Sequence, residues 1–254
     1  MRTRPPALLV AALLWVGSLY APTADAARRK QPTVEEQYEL GLKHLRRGYY
    51  VKALEQFNRI RNYHRDDPYA VKAELAIADV HFKKSEWDQA RLAYEDFMRL
   101  HPRHPDLDYV VQRIGLSLFK RSPRIAGRDQ TLTRQAVGAW AGYSSRFPDS
   151  QYRPDVEEKL DICRERLARK ELQIAYFYER RGAWKAVAGR AEGLLKMWPE
   201  SEHAAESLAL LAEARAWQGD AEGANQVLEK LRETDPEQAE RAQRRVERAE
   251  PEEV

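Results

Sequence analysis

The sequence is short of cysteine, glycine and proline: one, 12 and 13 respectively among 254 residues. A single cysteine, Cys163, cannot close an internal disulfide and excludes a cysteine-based zinc cluster. So few glycines and prolines leave little turn material for an all-β chain. Net charge is also lacking. The 43 Lys and Arg nearly balance the 40 Asp and Glu, and the resulting +3 is too small for a dedicated nucleic-acid binder. Motifs of catalysis are missing as well: the chain contains no HExxH, no Gly-rich phosphate loop and no GxSxG. No cofactor or metal is expected, and the chain does not read as an enzyme. His101 and His104, in HPRHP, mark a bend at a helix end rather than a metal site.

Long apolar runs are absent too, apart from one short stretch near the start. Ala7–Ala21 carries no charge over 15 residues, less than the roughly 20 that a spanning helix needs. Arg2 and Arg4 precede it, and Ala24-Asp25-Ala26 follows with small residues where a signal peptidase reads. This pattern predicts a cleavable secretory signal over 1–26, then a basic linker over 27–33. No Cys stands just after the apolar run to carry a lipid, so the sequence predicts membrane association through partners.

What fills the remainder is a repeat. Ala53, Ala90, Ala136, Val187 and Ala224 recur in similar surroundings, at spacings of 37, 46, 51 and 37 residues. A large residue stands four positions later in four of the five units: Phe57, Tyr94, Trp140 and Leu228. Pro102, Pro148, Pro199 and Pro236 each lie twelve residues past a small-residue slot. This is the tetratricopeptide (TPR) pattern. The small slot lets two antiparallel helices cross closely, the large residue fills the gap beside it, and proline ends the second helix because it lacks an amide proton. Gly48, Gly182 and Gly219 fall in the tight turns between paired helices.

The fold class is therefore all-α: a right-handed superhelical TPR solenoid of about five helix-turn-helix repeats. Helices are predicted over 34–47, 50–63, 69–84, 87–101, 106–121, 131–147, 153–181, 184–198, 201–218 and 221–233. Three repeats occupy 34–152, with an insertion at 122–130. A long connecting helix and a C-terminal repeat pair occupy 153–233, and a charged tail covers 234–254. Cys163 lies on an apolar stripe with Val156, Leu160 and Leu167, and so reads as core.

The first helices of TPR pairs line a groove. By repeat phase Tyr38, Lys72, Asp79, Phe82, Lys83, Tyr109, Gln112 and Lys120 face it. Aromatic rings beside lysines suit an extended peptide that ends in an aromatic residue and a carboxylate.

Three stretches carry more than a generic repeat: HPRHPDLDYVVQRIGLSLF (101–119), GRDQTLTRQAVGAWAGYSSRFPDSQY (127–152) and RLARKELQIAYFYERRGAWKAVAGRAEGLLKMWPES (166–201). An inserted third repeat with RDQ, a long helix with LAxxEL and an RGAWxAV turn follow one another. In that order they resemble the BamD family, the TPR subunit of the outer-membrane β-barrel assembly machinery (BAM). The resemblance implies a periplasmic scaffold at the outer membrane, with two kinds of contact. Its C-terminal repeats would bind the POTRA (polypeptide-transport-associated) domains of a BamA-like barrel protein, alongside other BAM lipoproteins. It would also bind the C-terminal β-signal of unfolded outer-membrane proteins. Tyr63, in RNY, matches an aromatic implicated in signal binding, although His64 replaces the family's proline; an inter-repeat packing role is the alternative. Arg190, in AVAGRAEG, matches an arginine implicated in BamA and signal contact, and Arg181 is assigned to the BamA surface; a solvated helix face is the alternative for Arg190. A different periplasmic TPR adaptor, serving envelope or peptidoglycan machinery, is the competing reading.

Overall fold

The computed structural model describes residues 31–249. The predicted signal segment and most of the basic linker lie outside them, as do residues 250–254 of the tail. Among the described residues no strand occurs and no helix is long and apolar enough to cross a membrane.

Helices pair in sequence order. The first unit is α1 (Val34–Arg46) with α2 (Tyr50–Tyr63), and the second is α3 (Pro68–Lys83) with α4 (Trp87–Leu100). The third is α5 (Leu107–Arg121) with α6 (Thr131–Trp140) and the short α7 (Tyr143–Arg146). The long α8 (Arg153–Glu179) packs against α9 (Trp184–Met197). Last come α10 (Ala204–Trp217) with α11 (Ala221–Thr234), closed by α12 (Pro236–Val246). Each helix packs mainly on its sequence neighbours, as in a TPR array.

The repeat phase governs the packing. Ala53, Ala90, Ala136, Val187 and Ala224 are fully buried, and so are Phe57, Tyr94, Trp140 and Leu228 four residues on. The structure adds a second small position in the first helix of each pair: Gly41, Ala78, Gly115, Ala175 and Ala212. Each lies twelve residues before its slot once the 122–130 insertion is discounted. There the large residue of the second helix lands. A Cβ on Gly41 would lie 2.5 Å from the Phe57 ring, and one on Gly115 would lie 2.2 Å from the Trp140 ring. Five residues before the slot the chain turns in the left-handed region. Gly48, Gly182 and Gly219 take φ of +74°, +66° and +78° there. Ser85 adopts +62° at the matching place in the second unit, a conformation that costs a side chain free energy glycine does not pay.

One expectation is corrected. The helix predicted over 131–147 breaks after Trp140, because Gly142 turns left-handed at φ +68° and α7 starts anew. The break swings Tyr143 into the core, where its hydroxyl donates to the Asp108 carbonyl at 2.9 Å. The tail from Pro236 is largely α12, capped by the Asp235 side chain and docked on α10 and α11 through buried Ala239 and Ala242. Arg245 on α12 pairs with Glu179 at 2.6 Å and with Glu213, which ties α12 to α8 and α10.

The insertion is a pinned loop. Gln130 is fully buried and its amide donates to the Ile125 carbonyl at 2.9 Å, while its oxygen accepts the Thr133 hydroxyl. Asp129 accepts from the Thr131 backbone and hydroxyl, which start α6. Lys170 of α8 donates to the Arg128 carbonyl at 2.9 Å. The RDQ motif is thus the fastening of the loop.

Two outcomes follow from this packing. Gly115→Ala should destabilise the chain by about 1–3 kcal/mol through overpacking against Trp140. Gly189→Ala, on an α9 surface with open space around it, should stabilise by roughly 0.5–1 kcal/mol. Thermal melts followed by circular dichroism read both, and a harmless Gly115→Ala would contradict the ring-on-glycine contact. Cys163 is fully buried and burial pushes its thiol up to about 11. Ellman's reagent should therefore modify it only after denaturation, and fast native labelling would contradict the assignment.

Candidate functional site

The first helices α1, α3 and α5 present one face, and most of the residues read from repeat phase lie on it in two groups. In the first, Tyr38 of α1 packs its ring 5.5 Å from Phe57 and 5.3 Å from Tyr69. Lys72 of α3 is exposed with its ammonium 4.4 Å over the Tyr69 ring. In the second, Phe82 of α3 meets Trp87 edge to face at 5.0 Å, and Tyr109 of α5 lies 5.5 Å from Tyr152 just before α8. Lys83 and Lys120 are exposed; Lys120, eleven residues past Tyr109, lies on its helix stripe, and Lys83 directly follows Phe82.

Asp79 sits between the groups, but not as a rim charge. Its Oδ1 accepts the hydroxyls of both Tyr94 and Tyr109 at 2.6 Å. Burial pushes the Asp79 carboxyl above the usual carboxylate range, against the pull of the two phenols and of Arg113. The Tyr94 and Tyr109 phenols are raised by their own burial and by the carboxylate beside them. Asp79 is therefore a fixed acceptor that orients two rings of the face.

Gln112 is corrected outright. It is 5% exposed and turned toward α8, where its amide donates to Asp155 at 2.9 Å. The residue that occupies the face is its neighbour Arg113. Its guanidinium carbon lies 4.5 Å over the Phe82 ring and 4.8 Å over the Tyr109 ring. Arg113 is one helical turn past Tyr109, and that i, i+4 relation was the signal available in the sequence. Tyr69 and Tyr152 were also missed; they complete the aromatic surface from a helix start and a turn.

Tyr63 belongs elsewhere. It is 78% exposed at the end of α2, a second helix of a pair, and so is not a packing aromatic between repeats. The two C-terminal arginines hold separate partners. Arg190 of α9 is 45% exposed and reaches Glu171 of α8 at 2.9 Å. Glu171 is the acidic residue of the LAxxEL stretch, whose Leu167, Ala168 and Leu172 are buried beneath it. Arg181 lies at the α8–α9 turn, 3.5 Å over the Phe177 ring. It edges a cleft of about 880 Å³ walled by Trp184 and Trp217, whose rings stack 5.1 Å apart at 3°. His101 is structural: its Nε2 meets Glu74 at 2.6 Å and ties the end of α4 to α3.

Known proteins resemble this arrangement along most of its length. The outer membrane protein assembly factor BamD of Neisseria meningitidis is 30% identical over 196 residues, 74% of this chain and 73% of the relative. BamD of Xylella fastidiosa is 28% identical over 235 residues, 88% of this chain and 80% of the relative. BamD of Haemophilus influenzae is 29% identical over 213 residues, 80% of this chain and 81% of the relative. Among solved structures, the TPR2AB domain of yeast Sti1 in its pHSP90 complex aligns with a TM-score of 0.46 and 14% identity, over 84% of this chain and 83% of that one. The family model YfiO, outer membrane lipoprotein, matches residues 30–234. With a repeat array of this phase and relatives of this coverage, the chain belongs to the YfiO outer membrane lipoprotein family, that of the BamD assembly factors.

Proposed function

We propose that the chain is a non-enzymatic scaffold for outer-membrane protein assembly at the periplasmic face of the outer membrane. Its N-terminal A-helix face holds the C-terminal β-signal of unfolded outer-membrane proteins. Its C-terminal repeats, around Arg190 and Arg181, hold a POTRA domain of a BamA-like barrel protein, and membrane association rests on such contacts. The named relatives are assembly factors, which supports the coarse role.

The observation that carries the peptide reading is the cationic aromatic face of α3 and α5. Phe82, Tyr109 and Tyr152 are half-buried rings, two of them under the Arg113 guanidinium, and Lys72, Lys83 and Lys120 stand exposed on the same helices. An extended segment could lay alternate apolar side chains on those rings, and exposed lysines would steer an anionic end toward them. Rigid paired helices lower the ordering cost of binding. For the POTRA contact, Arg190 is held by Glu171 at 2.9 Å yet keeps nearly half its surface open. Such a restrained, exposed arginine suits an interface anchor.

Photo-crosslinking residues placed at Phe82 and Tyr109 should capture a β-signal peptide, while the same residue on α9 should not. Capture confined to the C-terminal repeats would overturn the groove assignment. Arg190→Glu should weaken retention of a purified POTRA domain by about tenfold or more. The fold should be preserved, because an exposed pair contributes only about 0–1 kcal/mol. Unchanged retention would remove Arg190 from the interface, and a tagged chain that recovers no POTRA-bearing protein from envelopes would overturn the scaffold reading.

A further inference from the structure

The Arg113 guanidinium lies between two rings and lacks a full set of acceptors. Its Nε is buried with no hydrogen-bond partner. Arg113 meets the Tyr109 hydroxyl and feels the Asp79 carboxyl through space, and the Asp79 Oδ1 is taken by the phenols of Tyr94 and Tyr109. A buried donor without an acceptor costs free energy, on the order of 1–3 kcal/mol for a polar group, so the fold's own acceptors do not saturate this guanidinium. The rings of Phe82 and Tyr109, at 4.5 and 4.8 Å, hold the arginine in place. A planar guanidinium presents a rigid fork matched to a carboxylate, which a lysine ammonium cannot offer.

We infer that Arg113 is the residue that reads the free C-terminal carboxylate of the bound segment. The inference rests on the A-helix face being the peptide site and names the group within it that sets specificity. Lys72, Lys83 and Lys120 are exposed, so their attraction is screened by salt and helps encounter more than selection. Arg113 is half-buried beside rings, where a carboxylate forms a charge-assisted hydrogen bond with little competition from water. The last aromatic side chain of the segment would then meet Tyr109 and Tyr152, 5.5 Å apart.

The test uses the full chain and a fluorescein-labelled ten-residue peptide. The peptide alternates polar and apolar residues, ends in phenylalanine, and is made as the free acid and as the C-terminal amide. Fluorescence anisotropy should show the wild-type chain binding the acid at least tenfold tighter than the amide. Arg113→Gln should bind both forms alike, near the wild-type affinity for the amide. Arg113→Lys keeps the charge and the aliphatic stem, so it guards against a folding defect, and should reduce the preference to a few-fold. If both variants keep the full preference, another cation reads the carboxylate and the inference fails while the peptide site stands. Equal binding of acid and amide by the wild-type chain also overturns it. If the wild-type chain binds neither form, the peptide reading itself fails and the inference falls with it.

Discussion

The array depends on side chains of one helix pressing on a small position of its partner, which is bare backbone in two of the five pairs. Phe57 lies on Gly41 and Trp140 lies on Gly115, so close that a methyl group would not fit. Close-packed interiors have no slack for an added methyl group, so such a contact fixes both how near the helices approach and how they are rotated. The second small residue, at Ala53, Ala90, Ala136, Val187 or Ala224, lets the same pair approach on the next turn. Once rotation is fixed in each pair, the opposite stripe of the first helix must face outward. The placement of Lys72, Phe82, Lys83, Tyr109, Arg113 and Lys120 is thus a by-product of core packing.

Helix pairing, slots and most boundaries were legible in the sequence because they follow local periodicity. The helix break at Gly142 was not, since it depends on Tyr143 finding the Asp108 carbonyl on α5, far away in sequence. Small residues twelve before each slot went unread because the insertion hides the period in the third unit. The face was legible in outline only. Gln112 and Arg113 are consecutive on α5, so about 100° around the helix axis separates them. What decides between them is Asp155 on α8, which draws Gln112 inward. The partners of Asp79, read only as a groove residue, are Tyr94 and Tyr109 from two other helices.

The long α8 joins the two halves by packing on both. Val156, Leu160 and Cys163 belong to the core around Trp140, and Ala168, Leu172 and Ala175 to the core around Leu194 and Leu210. One uninterrupted helix therefore links the aromatic face, through Tyr152 just before its start, to Arg190, through Glu171 in its later turns. The LAxxEL stretch serves both purposes, its apolar residues in the core and its glutamate on the surface arginine. The RDQ loop is fastened to the same helix by Lys170.

The far end of the array has a different character. α12 turns two alanines inward and covers its outer side with charge, pairing Arg241 with Glu237 and Arg244 with Glu240 one turn apart. Its inner arginine, Arg245, draws together glutamates from two earlier helices that would otherwise repel each other. A solenoid left with an apolar end could add further copies of itself and grow into a filament. Among the described residues this one finishes in a helix whose outer side neutralises its own charge.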